Sequence, residues 1–369
     1  MKTLIPLLRT ALYLLIPILF IYGIIEAKAF LFPLVLALLF AYLLYPVVNF
    51  LEKKGLPRAL SIILSILTAI IIIGGVILLF YSQLNMMFAD FDKLKEQAVN
   101  NIETLQYNLE DIFGMKNDTM KSILLERVNS FFSTEGSGLL KLFSATTGTI
   151  VKIFLLPVYV FLFLYFRTRL ALFILKVVRE SQKAIAINIL RDIATVAERY
   201  MGGVTIVVLI LCIINSAGLL LIGIDYAILL GIISAFFNFI PYFGTLMGGS
   251  VPFLFVLLTT DEPITNGIKV LILFILVQFT ENNILTPNIV GGNVKINPFF
   301  VIVGLVAGAT VWGIAGMVVV VPLLAMARIT FINTVRLKPY GYLIGPTRPK
   351  RPSIKERLLK LFRQEKDDQ

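Results

Sequence analysis

Three stretches of this chain hold no charged side chain over about thirty residues each: Ala59–Ala89, Tyr226–Thr260 and Ile296–Ala327. A hydrocarbon core is crossed by about 20 apolar helical residues, and backbone groups inside it must be satisfied within the protein. The first two-thirds of Ala59–Ala89 make one span. The other two runs are too long for one span and short for two. They are also interrupted, by Asn238, Pro241, Gly244, Gly248-Gly249 and Pro252 in one, and by Pro298, Gly304, Gly308, Gly313, Gly316 and Pro322 in the other. Both are expected to form broken or re-entrant helical hairpins, at about 226–258 and 298–332. Freed backbone at such a break is buried in protein or lines a wet cavity, as in transporter sites. Glycines also let helices approach closely, and both readings apply here.

Composition agrees. Apolar residues make up 58% of the 369 and charged ones 15%, against nearly half and a quarter in soluble domains. The net charge of +11 sits in loop 52–58, in 167–199 and after Arg336, flanking apolar runs. That placement fits the positive-inside rule rather than nucleic acid. Cys212 is the single cysteine and there is no histidine, so a disulfide framework, a cysteine-ligated metal and Ser-His-Asp chemistry are excluded. No P-loop pattern is present, and no cofactor is expected.

Taken in order, 1–82 holds three spans, starting with Thr10–Ile25 and Ala29–Leu51. Residues 83–143 form an extracytoplasmic excursion. Its apolar positions 91, 94, 98, 102, 105, 109 and 112 have helical spacing, and a second amphipathic helix carries Met120 to Phe132. This pair is expected to lie on its own protein or on the membrane surface. A fourth span fills 144–166. Residues 167–200, from Leu170 to Tyr200 above all, form a basic amphipathic helix on the cytoplasmic leaflet. A C-terminal core, 201–335, carries further spans ending near Ile224 and over Thr265–Thr280 together with both hairpins, and 336–369 is a basic cytoplasmic tail. The expected fold is all-α: a polytopic membrane protein with about six full spans, two broken hairpins and amphipathic helices outside the bilayer core. Pro241 precedes Pro252-Phe253 by eleven positions, as Pro287 precedes Pro298-Phe299, with Gly-Gly between in each case; this hints at an internal repeat.

Functional residues are expected around Gln278, Glu281, Asn282 and Asn283, which fall within two helical turns where a span ends. Positions 278, 281, 282 and 285 share one face. Pro287 should stop this helix, and Gly291-Gly292 should let the chain turn. Asn238, Pro241 and Gly244 supply polar and freed backbone groups from the first hairpin. Gly291, Gly292, Pro298, Gly308, Gly313, Gly316 and Pro322 are the expected hinges or breaks.

The series Gln278, Glu281, Pro287, Gly291, Pro298, Gly308, Gly313, Gly316, Pro322 resembles the C-terminal signature of the autoinducer-2 exporter family of bacterial membrane proteins. So do Pro241-Tyr242-Phe243-Gly244 and, near the start, Pro46 with Leu51–Arg58. Asn297 stands where relatives often have histidine. The resemblance implies an exporter of a small polar or amphiphilic solute, in a homo-oligomer expected to be a pentamer. Because some relatives exchange sodium for protons, it also leaves open a cation/proton antiporter with Glu281 as the titrating group. The implied partners are a small-molecule or ion substrate and the lipid bilayer, not nucleic acid. The implied location is the cytoplasmic membrane, crossed several times, with both termini cytoplasmic. No nucleophile–base pair marks an enzyme.

Overall fold

The computed structural model describes residues 15–113 except 17, 20 and 21, residues 122, 123, 125 and 126, and residues 147–290 and 296–346. Among them every regular element is helical. The fold is that of an all-α polytopic membrane protein. Among the described residues six helices are long and apolar enough to cross a bilayer: Lys28–Lys53, Arg58–Ala89, Leu155–Val177, Glu180–Ile222, Pro263–Ile289 and Ile314–Asn333. Their outer faces carry exposed Ile71, Leu78, Ile213 and Leu221, which only lipid or another apolar surface tolerates.

Five of these overlap expected spans, and the sixth, Ile314–Asn333, belongs to the expected second hairpin. Half of the expected span Thr10–Ile25 lies outside the described residues, and its described residues are helical. Ile314–Asn333 is itself of spanning length and pairs with the shorter Pro298–Trp312. The chain falls into two compact units, one from 1–179 with 197–293 and one from 180–196 with 294–369.

In the first unit, α1 (Lys28–Lys53), α2 (Arg58–Ala89) and α4 (Thr147–Val177) pack together. Ala37, Ala41, Val48, Ile62, Val160 and Leu164 are buried between them. At one end of this bundle the Arg167 guanidinium donates to Glu52, with Arg58 Nε 3.6 Å from the same carboxylate. The Tyr45 ring lies 5.2 Å from Arg167. Between α2 and α4 comes α3 (Phe91–Phe113), separated from α2 by Asp90 alone. It lies on its own protein: Ala98 and Ile102 are buried, with Leu258 packed against them. Its partner over 120–132 falls almost wholly outside the described residues.

A single amphipathic helix over Leu170–Tyr200 does not form. Helix α4 ends at Val177, a 3-10 turn follows at Glu180–Gln182, and α5 (Lys183–Ile222) then runs unbroken through Gly202-Gly203. The 2.5 Å ion pair of Lys183 with Glu180 holds the turn. Helical hydrogen bonding outlasts the glycines because two of them cost only about 2 kcal/mol against alanine.

The first hairpin comprises α6 (Ala227–Phe237) and α7 (Phe243–Thr259), followed by α8 (Pro263–Thr280). Leu219, Ile224, Ala227, Leu230, Val256 and Val270 form its core.

In the second unit, α10 (Pro298–Trp312) and α11 (Ile314–Asn333) are joined by Gly313 alone, at φ 67° and ψ −149°, backbone that favours glycine. Asn297 caps α10, its side chain accepting from Phe299 N at 3.0 Å. Of the positions expected as hinges here, only Gly313 interrupts a helix. Pro298 opens α10, where a missing N–H costs nothing. Gly308, Gly316 and Pro322 lie within helices. The two glycines serve close packing: a Cβ on Gly316 would stand 2.1 Å from Gly308 O. The repeat is not carried into structure, since Pro252 sits inside α7 while Pro298 begins α10.

Candidate functional site

Helix α6 stops at Phe237 because the chain turns over Asn238–Tyr242 before α7 restarts. Tyr242 takes φ 64°, a conformation costing a non-glycine residue about 1–3 kcal/mol. Gly244 makes this return possible. A Cβ there would stand 2.4 Å from Asn238 Oδ1 and 2.5 Å from both Asn238 Cα and Phe237 O. Pro241 is half-buried in the turn, and its carbonyl accepts from Phe243 N at 2.8 Å.

Helix α8 meets this break with its C-terminal end. After Thr280 the helix widens into a π turn, Glu281–Leu285, and continues as a short α9 (Thr286–Ile289). The helix is therefore not stopped at Pro287. The i→i+5 pattern places Pro287 in the first turn of a new α segment, where no amide hydrogen is required. The π turn also rotates the residues after Glu281. Asn282, Asn283 and Pro287 are exposed, and Asn283 Nδ2 donates back to Phe279 O at 2.8 Å. The face shared by 278, 281, 282 and 285 in a regular helix is split here, with Glu281 turned inward.

Glu281 is 9% exposed and accepts from Gln278 Nε2 at 2.9 Å. Both face a cleft of about 20 Å³, lined also by Asn215, Ser234, Asn238, Gly244, Thr245 and Phe274. That volume holds about one water-sized group. Asn215 and Ser234 are fully buried, and neither Asn215 Oδ1 nor Ser234 Oγ has a hydrogen-bond partner among the described residues. An unpaired buried polar atom costs about 1–3 kcal/mol, so these two beside a buried carboxylate call for a polar partner the size of a water molecule. Among the described residues Glu281 makes no ion pair, and no group of three or more His, Cys, Asp or Glu could hold a metal.

The structure thus brings Gln278, Glu281, Asn238 and Gly244 to one cleft, leaves Asn282, Asn283 and Pro287 outside it, and adds Asn215 and Ser234. A polar residue at the middle of an apolar span was the available signal for Asn215; Ser234 gives no sequence signal of its own. Gly291 and Gly292 lie outside the described residues.

An inward carboxylate beside a broken helix within an apolar bundle suits a transporter, and the comparisons agree. A family model described as "AI-2E family transporter" matches residues 14–336. The chain belongs to this family. Its relatives include "Putative transport protein YrrI" of Bacillus subtilis, 28% identical over 84% of this chain and 88% of the relative. "Putative transport protein YueF" of the same organism is 26% identical over 83% and 84%. "AI-2 transport protein TqsA" of Escherichia coli is 25% identical over 85% and 88%. As a member of the AI-2E transporter family the chain is a multi-pass membrane transport protein, the class that the residues around 241–244 and 278–322 suggested.

Proposed function

We propose that the chain exports a small polar solute through the cleft of Glu281, Gln278, Asn238, Asn215 and Ser234, from the cytoplasmic membrane with both termini inside the cell. The observation that carries this reading is a pair of buried atoms without a hydrogen-bond partner among the described residues, Asn215 Oδ1 and Ser234 Oγ, on the same cleft as the Glu281 carboxylate. One hydroxyl or amide group of a solute, the size this cleft admits, can donate to these acceptors, and passage of the whole solute needs the helices to part. The relative named for AI-2 makes AI-2 the first solute to try.

A second reading, cation/proton antiport, is favoured by one feature: Glu281 is a buried carboxylate without a cationic partner among the described residues. Vesicles containing the purified protein distinguish the two. AI-2 efflux is followed with and without an imposed sodium or pH gradient, and a trapped pH dye reports antiport. In a solute carrier Glu281→Gln keeps most AI-2 transport and Glu281→Ala loses it. In an antiporter both variants lose gradient-driven flux. Parental transport by both variants would remove Glu281 from the pathway.

A further inference from the structure

The cleft-lining helix α7 is held at its far end by a residue of another element. Helix C-termini leave carbonyls without partners, and α7 has no glycine cap to turn them back. Asn101, on the excursion helix α3, closes this end: its Nδ2 donates to Leu258 O at 3.0 Å and to Thr260 O at 2.8 Å. Asn101 is 9% exposed, a polar residue beside the buried apolar face of an amphipathic helix. Ala98 and Ile102, either side of it on the same face, are buried with Leu258 packed against them. One turn earlier Gln97 Nε2 donates to Asp261 Oδ1 at 3.3 Å. The start of α3 is fixed in turn, because Tyr226 Oη, at the head of α6, donates to Asp90 Oδ2 at 2.5 Å.

We infer that Asn101 is a positioning residue for the cleft: through α7 it sets where Gly244, Thr245, Gly248 and Gly249 stand against Glu281. The excursion helix is then a clamp on the transport hairpin rather than a docking arm. Helix α7 is well suited to transmit this hold. Its first turn is jammed against Asn238 by Gly244, so its two ends are tied to different elements and a displacement at Leu258 is felt at Thr245. Leu258 O and Thr260 O are partly buried, so without Asn101 they turn to water or the helix end shifts toward it.

The inference takes the Glu281 cleft as the transport path, but its test reads the helix alone. Hydrogen–deuterium exchange of the full chain in lipid nanodiscs is followed over 243–250, residues that Asn101 does not touch. Asn101→Ala removes both hydrogen bonds and should raise exchange there about fivefold, the factor when ~1 kcal/mol of their hold reaches that end of the helix. Adding Gln97→Lys creates an ion pair with Asp261 and should bring exchange back toward the parent at low salt, the recovery fading at high salt. Gln97→Lys alone, which keeps Asn101, should slow exchange below the parent at low salt and covers the case in which Asn101→Ala does not fold. Faster exchange confined to 255–261, or no response of 243–250 to any of the three variants, would overturn the clamp. Neither result depends on which solute is carried.

Discussion

The sharpest structural prediction compares one substitution at two glycines. At Gly244 a new Cβ would lie 2.4–2.5 Å from three atoms, of which Asn238 Cα and Phe237 O belong to backbone. Ordinary contact needs about 3.5 Å, so the turn at 237–238 must retreat by about 1 Å. Overpacking of this kind costs about 1–3 kcal/mol, and the upper end applies because backbone cannot rotate away. Alanine returns about 0.5–1 kcal/mol in helical preference. The net loss for Gly244→Ala is then about 2 kcal/mol. At Gly74, inside α2, no atom lies within 4 Å of the added Cβ. Gly74→Ala therefore keeps only the helical gain, a stabilisation of about 0.5–1 kcal/mol. Apparent melting temperatures in one detergent, read side by side, should move in opposite directions, and transport activity should fall only for Gly244→Ala. A Gly244→Ala protein that melts at or above the parent would refute the close return at Asn238.

Two further predictions concern local capping and topology. Asn297→Ala removes the side-chain acceptor for Phe299 N and should cost about 1 kcal/mol, whereas Asn297→Asp should melt with the parent; equal melting of both would show that the cap contributes nothing. Single cysteines placed at exposed Glu103 or Tyr107, in a Cys212→Ser background, should react with an impermeant maleimide added to intact cells. Reaction only after lysis would reverse the proposed orientation, which rests on the basic residues of 52–58 and 167–199.

Much of this protein is written locally. Charge-free runs such as Ala59–Ala89 have one physical outlet, a helix in lipid, so their fate follows from hydropathy alone. The breaks at Asn238–Tyr242 and Gly313 fall where turn residues stand, although Pro252 and Pro322 stand inside helices, so residue type alone does not place a break. Gln278 and Glu281 meet locally, three positions apart on one helix. Other features depend on distant neighbours. Whether Gly308 and Gly316 are hinges or contact points is decided by the α10–α11 approach, where each glycine faces the other. The π turn at Glu281 rotates Asn282 and Asn283 outward, a shift of register that a regular 3.6-residue period does not contain. Asn215 and Ser234 lie on separate helices, and Asn101 lies 157 residues before Leu258. Polar side chains within an apolar run can face lipid, a neighbour or a cavity, and hydropathy is the same in all three cases. Only the crossing of helices selects one, because the cost of an unpaired polar atom depends on what stands opposite it.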